Sequence, residues 1–482
     1  MLEIKGLNTL NIVRDVSFTL QAGSRVGLIG ESGSGKTLTA LSIMRLVDAT
    51  GEITLDDLAI HQLTETGMCQ VRGKRISMVF QEPMSALNPL MKIGAQLREA
   101  IRIHRPMSKR AANTEMLELL DDVELDASLA TRYPHELSGG QRQRVLIAMA
   151  LAHQPDILIC DEPTTALDVT SQRAVLDLIL TLVARHGTAL LFITHDLGLI
   201  AQACEEVLVM QNGAIVESGT VEQVLQHPKH PYTQMLLDAS DLPAASPARQ
   251  TDEVLVSVDH VWKRYNRHTS VLRGINLSIT RGQRLGIVGG SGSGKTTLLK
   301  LLAGLEKPSK GKVHVHGDLH MVFQDPMGSL NPRMRVGDII AETLASYDSA
   351  RIAEVLTEVG LVPEMANRFP HEFSGGQRQR ISLARALAPY PELLLADEPV
   401  SALDVSVRKK VLTLLDSLVQ KRDLTLVFVS HDIHVVRSVC TDVIVMQDGE
   451  IIESGTVAEV LDNPQTQYTK DLIAAVPKLY RN

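Results

Sequence analysis

The sequence predicts an α/β fold laid down twice in tandem, each copy a mainly parallel sheet core with an antiparallel attachment. Three observations carry this reading. Short apolar runs lead at once into Gly-rich turns and then helical stretches. The same motifs return in the same order in the second half. Each copy also closes on two apolar runs that bracket Asn-Gly or Asp-Gly, the strongest short hairpin signal.

The repeat comes first, because every other assignment depends on it. GESGSGKT at Gly30 to Thr37 returns as GGSGSGKT at Gly289 to Thr296, and MVFQEPMSALNP from Met78 returns as MVFQDPMGSLNP from Met321. YPHELSGGQRQR from Tyr133 returns as FPHEFSGGQRQR from Phe369, DEPTTALDV from Asp161 as DEPVSALDV from Asp397, and THD around His195 as SHD around His431. Ser138 to Asp161 and Ser374 to Asp397 both span 23 positions; Glu162 to His195 and Glu398 to His431 both span 33. Five blocks in one order are a tandem duplication. The copies differ between their first two motifs, where Lys36 to Gln81 spans 45 positions and Lys295 to Gln324 only 29, so the second has lost about half of a small insertion.

The elements follow in chain order. RVGLI from Arg25 and RLGIV from Arg284 read as strands running through a Gly-rich loop into the helical stretches TLTALSIM and TLLKLLA. ILIC before Asp161, LLLA before Asp397, and ALLFIT and LTLVFVS before the histidines are buried-strand runs; VLVMQNGAIVESG and VIVMQDGEIIESG are the hairpins. Asp238 to Glu253 is rich in Ala, Ser, Pro and Asp with neither period, and reads as a flexible linker between domains at 1–237 and 254–482.

Composition sets the outer limits. The 482 residues carry 48 Lys and Arg against 56 Asp and Glu, a formal charge of −8, with 44% hydrophobic and 22% charged residues. That is a globular balance and suggests two or three domains at roughly 150 residues each. The run Val145 to Ala152 falls far short of the roughly 20 apolar residues a membrane span needs, and no secretory signal is read. Four scattered cysteines with no CxxC spacing exclude the usual zinc patterns and fit a reducing compartment. Net acidity speaks against a nucleic-acid partner.

The motifs supply the chemistry. GxxxxGK[ST] between a strand and a helix cradles polyphosphate: its glycines admit backbone N–H groups to phosphate oxygens, and the helix N-terminus adds its dipole. Lys36 and Lys295 would meet the β/γ-phosphates, with Thr37 and Thr296 on Mg²⁺. A structural Gly-rich turn explains one such match, but hardly two in identical context. Asp161 and Asp397, at the ends of apolar strands, would hold the Mg²⁺ shell, leaving Glu162 and Glu398 as general bases toward an attacking water. The bland alternative is an acidic helix cap before Pro163 and Pro399. Ser138-Gly139-Gly140-Gln141 and Ser374-Gly375-Gly376-Gln377 each open a helix, as a capping serine or as a second anion site. One nucleotide cannot easily use both anion sites of one copy, so the second is best placed on the other copy's nucleotide.

Together these blocks (phosphate loop, Q-loop, LSGGQ signature, Asp-Glu strand end, ALD loop, switch histidine) resemble those of ATP-binding cassette (ABC) ATPases over nearly the whole chain. The resemblance implies two tandem P-loop ABC-type domains, each with an antiparallel β subdomain and a helical subdomain, and a head-to-tail sandwich holding two ATP and Mg²⁺. One site would combine Lys36, Gln81, Asp161, Glu162 and His195 with Ser374 to Gln377. The other would combine Lys295, Gln324, Asp397, Glu398 and His431 with Ser138 to Gln141. The loop residues Gly30, Ser32, Gly33, Ser34, Gly35 and Leu38, and Gly289, Ser291, Gly292, Ser293, Gly294 and Thr297, would hold the phosphates. Gln81 and Gln324 would join the Mg²⁺ shells, His195 and His431 would contact the γ-phosphate, and Asp168 and Asp404 would couple the sites. Tyr265 would stack on adenine in the second copy. Met1 to Arg14 offers no aromatic, so weaker nucleotide binding is expected at the Lys36 site.

A finer resemblance lies in QEPMxxLNP and QDPMxxLNP and in His230-Pro231-Tyr232-Thr233, which are similar to the dipeptide, oligopeptide and nickel importer ATPases; Gln467-Tyr468-Thr469 matches in part. It implies the energy-coupling ATPase of a bacterial uptake transporter. Such a subunit sits peripherally on the cytoplasmic face of the inner membrane and docks two permease subunits beside Gln81 and Gln324, with an extracytoplasmic solute-binding protein delivering cargo. With no cysteine between His230 and the linker or after Cys440, no iron–sulfur cluster is expected, which tilts the cargo slightly toward nickel or a metal chelate and leaves peptides open. The alternatives are a fused sugar-importer ATPase, in which one copy usually loses its catalytic pattern, and a soluble twin-cassette ATPase of translation, which typically has a long charged linker.

Overall fold

Along the apolar runs of the central strands, successive side chains enter different cores. Leu158, Cys160, Leu190 and Phe192 pack into one apolar cluster, while Ile157, Ile159, Leu191 and Ile193 pack into another. A strand buried on both faces has no solvent side to mark with polar residues, which is why these runs lack alternation. The computed structural model describes residues 1–165, 167–247, 249–265, 269–401 and 403–477. Ala166 and Ala402 of the ALD motifs, Ala248 of the linker and the last five residues of the second domain lie outside them.

The chain divides into two compact units, Met1–Leu167 with Ser171–Ser240 and Pro477, and Asp168–Thr170 with Asp241–Val476. The first holds β1 (Leu2–Thr9), β2 (Val13–Leu20), β3 (Arg25–Ile29), β4 (Thr50–Leu55), β5 (Leu58–Ala59), β6 (Ile76–Val79), β7 (Ile157–Asp161), β8 (Ala189–Ile193), β9 (Glu206–Gln211) and β10 (Ala214–Thr220). Its core sheet has the order β10-β9-β3-β8-β7-β6, parallel except for the β9–β10 hairpin. A separate antiparallel sheet, β2-β1-β4-β5, shares the core on one face. The helices Ile93–Arg102, Lys109–Asp122 and Gly139–Leu151 contribute to the core on the other.

The second unit repeats the plan with β11 (Val254–Arg264), β12 (Ser270–Thr280), β13 (Arg284–Val288), β14 (Lys310–Val315), β15 (Leu319–Val322), β16 (Leu393–Asp397), β17 (Thr425–Val429), β18 (Asp442–Gln447) and β19 (Glu450–Thr456). Its core sheet runs β15-β16-β17-β13-β18-β19, and its antiparallel sheet has three strands, β12-β11-β14. The shortened insertion explains the missing strand. What the first unit has and the second lacks is β5, the 3₁₀ turn Ile60–Gln62 and the helix Glu65–Val71.

Both hairpins turn on two residues with positive φ, Asn212 and Gly213 at 49° and 86°, and Asp448 and Gly449 at 49° and 85°. This is the primed geometry that matches strand twist. A Cβ on Gly213 would fall 1.6 Å from the Ile12 carbonyl oxygen, so the turn needs its glycine for space as well as for φ.

The predicted linker is more ordered than its composition suggests. The helix Pro231–Ser240 takes up its first three residues. Residues 241–247 and 249–253 form no helix or strand but are tied to the second unit. The Ala245 N–H donates to Arg437 O, the Ser246 hydroxyl to Asp416 Oδ2 at 2.6 Å, and Gln250 Nε2 to Asp442 Oδ2. Periodicity cannot show this, because the bonds run from single polar atoms to distant partners.

Candidate active site

Each unit builds the same site from the ends of its central strands. The strands β3 and β13 deliver the phosphate loops, whose glycines Gly33 and Gly35, and Gly292 and Gly294, all have positive φ. Gly35 and Gly294 are the left-handed caps from which the helices Lys36–Ile43 and Lys295–Leu302 start. The lysines fold back over their own loops. Lys36 Nζ donates to Gly30 O and Glu31 O at 2.8 and 2.9 Å, and Lys295 Nζ to Gly289 O and Gly290 O at 2.8 Å each. Burial depresses the Lys295 ammonium, although the carboxylate of Glu398 works against that.

Asp161 and Asp397 end β7 and β16, 2% and 3% exposed. Asp161 is pushed up to about 6 by burial, which the hydrogen bond from Thr37 only partly opposes, and Asp397 is raised in the same way. The Thr296 hydroxyl donates to Asp397 Oδ1 at 3.3 Å. Asp161 Oδ1 is buried without a hydrogen-bond partner, as are the loop hydroxyls of Ser34 and Ser293. A buried carboxylate oxygen left unpaired beside a threonine hydroxyl and a phosphate loop fits a divalent cation, which would lower that carboxyl again.

Glu162 and Glu398 stand one residue further on, with φ of 46° and 44°. Three side chains grip Glu162: Gln81 Nε2 donates to Oε2 at 2.9 Å, the Thr165 hydroxyl to the same oxygen at 2.9 Å, and His195 Nδ1 lies 3.2 Å from Oε1. Gln324 Nε2 and His431 Nδ1 hold Glu398 at 3.0 and 3.2 Å. Burial pushes both carboxyls up, but the adjacent histidine, helped by the lysine, outweighs it and holds them below the ordinary range. Neighbouring carboxyls thus shift in opposite directions: burial dominates at the aspartates, and the histidine contact dominates at the glutamates.

The signature serines cap helices. Ser138 Oγ accepts the Gln141 N–H and Gln141 Oε1 the Ser138 N–H, at 3.3 and 3.0 Å; Ser374 and Gln377 do the same at 3.4 and 3.0 Å. Asp168 precedes the helix Val169–His186 and accepts from the Thr170 hydroxyl at 2.5 Å, while Asp404 occupies the N-cap position of the helix Val405–Arg422. Tyr265 is 55% exposed, donates its hydroxyl to Glu306 Oε1 at 2.6 Å, and also meets Thr297 on the phosphate-loop helix. Just past the corresponding end of β1 the exposed apolar side chains are the aliphatic Leu10 and Ile12.

Sequence reasoning missed three features. The left-handed φ of the two glutamates carries no mark, since neither is glycine. Thr165 is an ordinary loop threonine by type. The tyrosines of HPYT and QYT, Tyr232 and Tyr468, reach the phosphate loops with their hydroxyls. Their recurrence in both copies was the available signal.

Comparison with known proteins bears on this arrangement. A family model described as "ABC transporter" matches residues 13–165 and 272–401, more than half of the chain. A second, "Oligopeptide/dipeptide transporter, C-terminal region", matches 216–255 and 452–482. The chain is 45% identical to the peptidoglycan transport ATP-binding protein YejF of Agrobacterium fabrum, across 96% of this chain and 92% of that one. It is 40% identical to the glutathione import ATP-binding protein GsiA of Escherichia coli K12, across 96% and 86%. Among solved structures, the archaeal ribosome recycling factor aABCE1, in complex with the stalk protein aP1, superposes with a TM-score of 0.68 over 95% of this chain and 90% of that one. At 22% identity that likeness speaks for the fold alone.

Proposed function

Because this chain belongs to the ABC transporter family and is an ATPase of it, we propose that it energises the uptake of peptides through separate permease subunits. The observation that carries this is the intact constellation of Lys, Gln, Asp, Glu and His in both units, with glutamine and histidine on the glutamate carboxylate in each. A fused sugar importer would be expected to lose one of the two. The relatives' printed cargoes, peptidoglycan and glutathione, and the match to an oligopeptide/dipeptide C-terminal region favour peptides over nickel.

In this reading the phosphate loops bind ATP through backbone N–H groups, while Lys36 and Lys295 leave their loop carbonyls for the β/γ-phosphates. Thr37, Gln81 and Asp161, with Thr296, Gln324 and Asp397, would hold Mg²⁺, which offsets charge on the phosphates when bound. Glu162 and Glu398 take the proton of the attacking water. His195 and His431 orient those carboxylates and contact the γ-phosphate, and Gln81 and Gln324 sit between the site and the permease. The signature segments Ser374 to Gln377 and Ser138 to Gln141 complete the sites of Lys36 and Lys295 respectively, with Asp168 and Asp404 coupling them. A peptide-binding protein outside the membrane delivers cargo, and the chain works from the cytoplasmic face of the inner membrane.

The test is a partner census. A tagged Glu162→Gln, Glu398→Gln chain, loaded with Mg·ATP and extracted from native membranes in mild detergent, should bring down two permease subunits and a peptide-binding protein. Recovery of ribosomes with no membrane protein would overturn the transport reading and leave the ATPase chemistry standing.

A further inference from the structure

In both units a tyrosine of the segment matched by the transporter C-terminal region ends on the phosphate loop. Tyr232 Oη accepts the Glu31 N–H at 2.9 Å, and Tyr468 Oη accepts the Gly290 N–H at 2.8 Å. The carbonyl of the same peptide faces the loop lysine, since Gly30 O accepts from Lys36 Nζ and Gly289 O from Lys295 Nζ, each at 2.8 Å. One peptide plane is therefore held at both edges. It follows a glycine with φ of 156° or 150°, so little else in its local sequence resists rotation.

The tyrosines are themselves anchored. Glu217 on β10 accepts the N–H groups of Lys229 and His230 at 2.7 and 3.1 Å, just before the helix Pro231–Ser240 that carries Tyr232. Glu453 on β19 accepts the N–H groups of Gln465 and Thr466 at 2.8 and 3.2 Å, before the helix Gln467–Ala474 that carries Tyr468. The two C-terminal segments differ in sequence, HPYT against TQYT, yet place the hydroxyl on the same amide.

We propose that Tyr232 and Tyr468 are positioning residues for ATP binding, holding the first peptide of the phosphate loop while the lysine transfers from the loop carbonyl to the nucleotide. This rests on the reading of the loops as ATP sites. Once the lysine leaves, the carbonyl edge loses that donor and the tyrosine hydroxyl keeps the plane in register. Gly290 allows its loop more freedom than Glu31 does, so Tyr468 carries the larger share.

The test uses Tyr232→Phe and Tyr468→Phe in the full chain, each keeping its ring and losing one hydroxyl. Without nucleotide, amide exchange should quicken about 2–10-fold in segment 29–37 for the first and 288–296 for the second, each in its own loop only, with the melting temperature unchanged. With Mg·ATP, KM should rise about 2–10-fold while kcat stays within about twofold, the larger change falling on Tyr468→Phe. Unchanged loop exchange with unchanged KM overturns the proposal, and so does a lowered melting temperature with both loops loosened alike. A wild-type chain that binds no ATP would remove the functional reading, while the exchange experiment would still decide the role of the tyrosines.

Discussion

Glu162 and Glu398 sit in a backbone region that costs a non-glycine residue on the order of 1–3 kcal/mol, and their surroundings hold them there. Each N–H bonds back to the neighbouring strand, Glu162 to Ile193 O and Glu398 to Val429 O, while glutamine and histidine fix the carboxylate. In the proposed role of general base, each should account for about 10²–10⁴-fold of the hydrolysis rate at its own site. Glu162→Gln and Glu398→Gln should therefore each lower steady-state ATP turnover, and the double variant should retain ATP through gel filtration; full turnover in the double variant would remove the assignment. A second expectation concerns adenine. Stacking adds about 0.5–1.5 kcal/mol, so Tyr265→Leu should weaken ATP binding at the Lys295 site about 2–10-fold. Equal ATP affinities at the two sites of the wild-type chain, resolved with Ser138→Ala and Ser374→Ala variants, would contradict the asymmetry. At this scale the sequence disclosed residue types and spacings. The strained φ values and the tyrosine hydroxyls escaped it, because both depend on where the chain has already been folded to.

The elements repeat the lesson with different particulars. Strands β3, β7 and β8 were legible because their short, mainly apolar runs have no polar alternation to present to water, and the hairpins because Asn-Gly and Asp-Gly supply two positive φ values in a row. The junction between β19 and the last described helix was not legible. Its anchor is Glu453, whose partners lie 12 and 13 positions away with no periodic relation to it. Burial pushes that carboxyl up, but the Gln465 N–H, the hydroxyls of Thr469 and Thr466 and the Thr466 N–H overcome it, leaving it at about 2 against an ordinary 4.5. A carboxyl lowered on folding contributes stability that is complete above about 4.5 and is lost as pH falls toward about 2. The helix Gln467–Ala474 should therefore loosen across that window. Limited proteolysis or amide exchange from pH 6 downward would show it, and Glu453→Gln should flatten the dependence.

For the molecule as a whole, the duplication, the two-unit plan and the chemical class could all be read from motif order. Among the described residues no helix is long and apolar enough to cross a membrane. The bonds of the stretch between the units are not legible in its sequence, because Ala, Ser and Pro composition signals only the absence of regular structure and says nothing about tethering. Ser246 donates through both its N–H and its hydroxyl to Asp416, the carboxylate that also pairs at 2.6 Å with Arg284, a guanidinium 2% exposed. Removing a partner from a buried pair costs about 3–5 kcal/mol, and thinning its support should cost a fraction of that. A chain beginning at residue 241 should therefore melt several degrees above one beginning at residue 254, by differential scanning calorimetry. The segment behaves as an N-terminal strap of the second unit more than as a tether between equals. If the reading frame were split into two genes, the natural cut would fall after Ser240, with the strap inherited by the downstream product; a split after residue 253 would leave the strap on the wrong polypeptide.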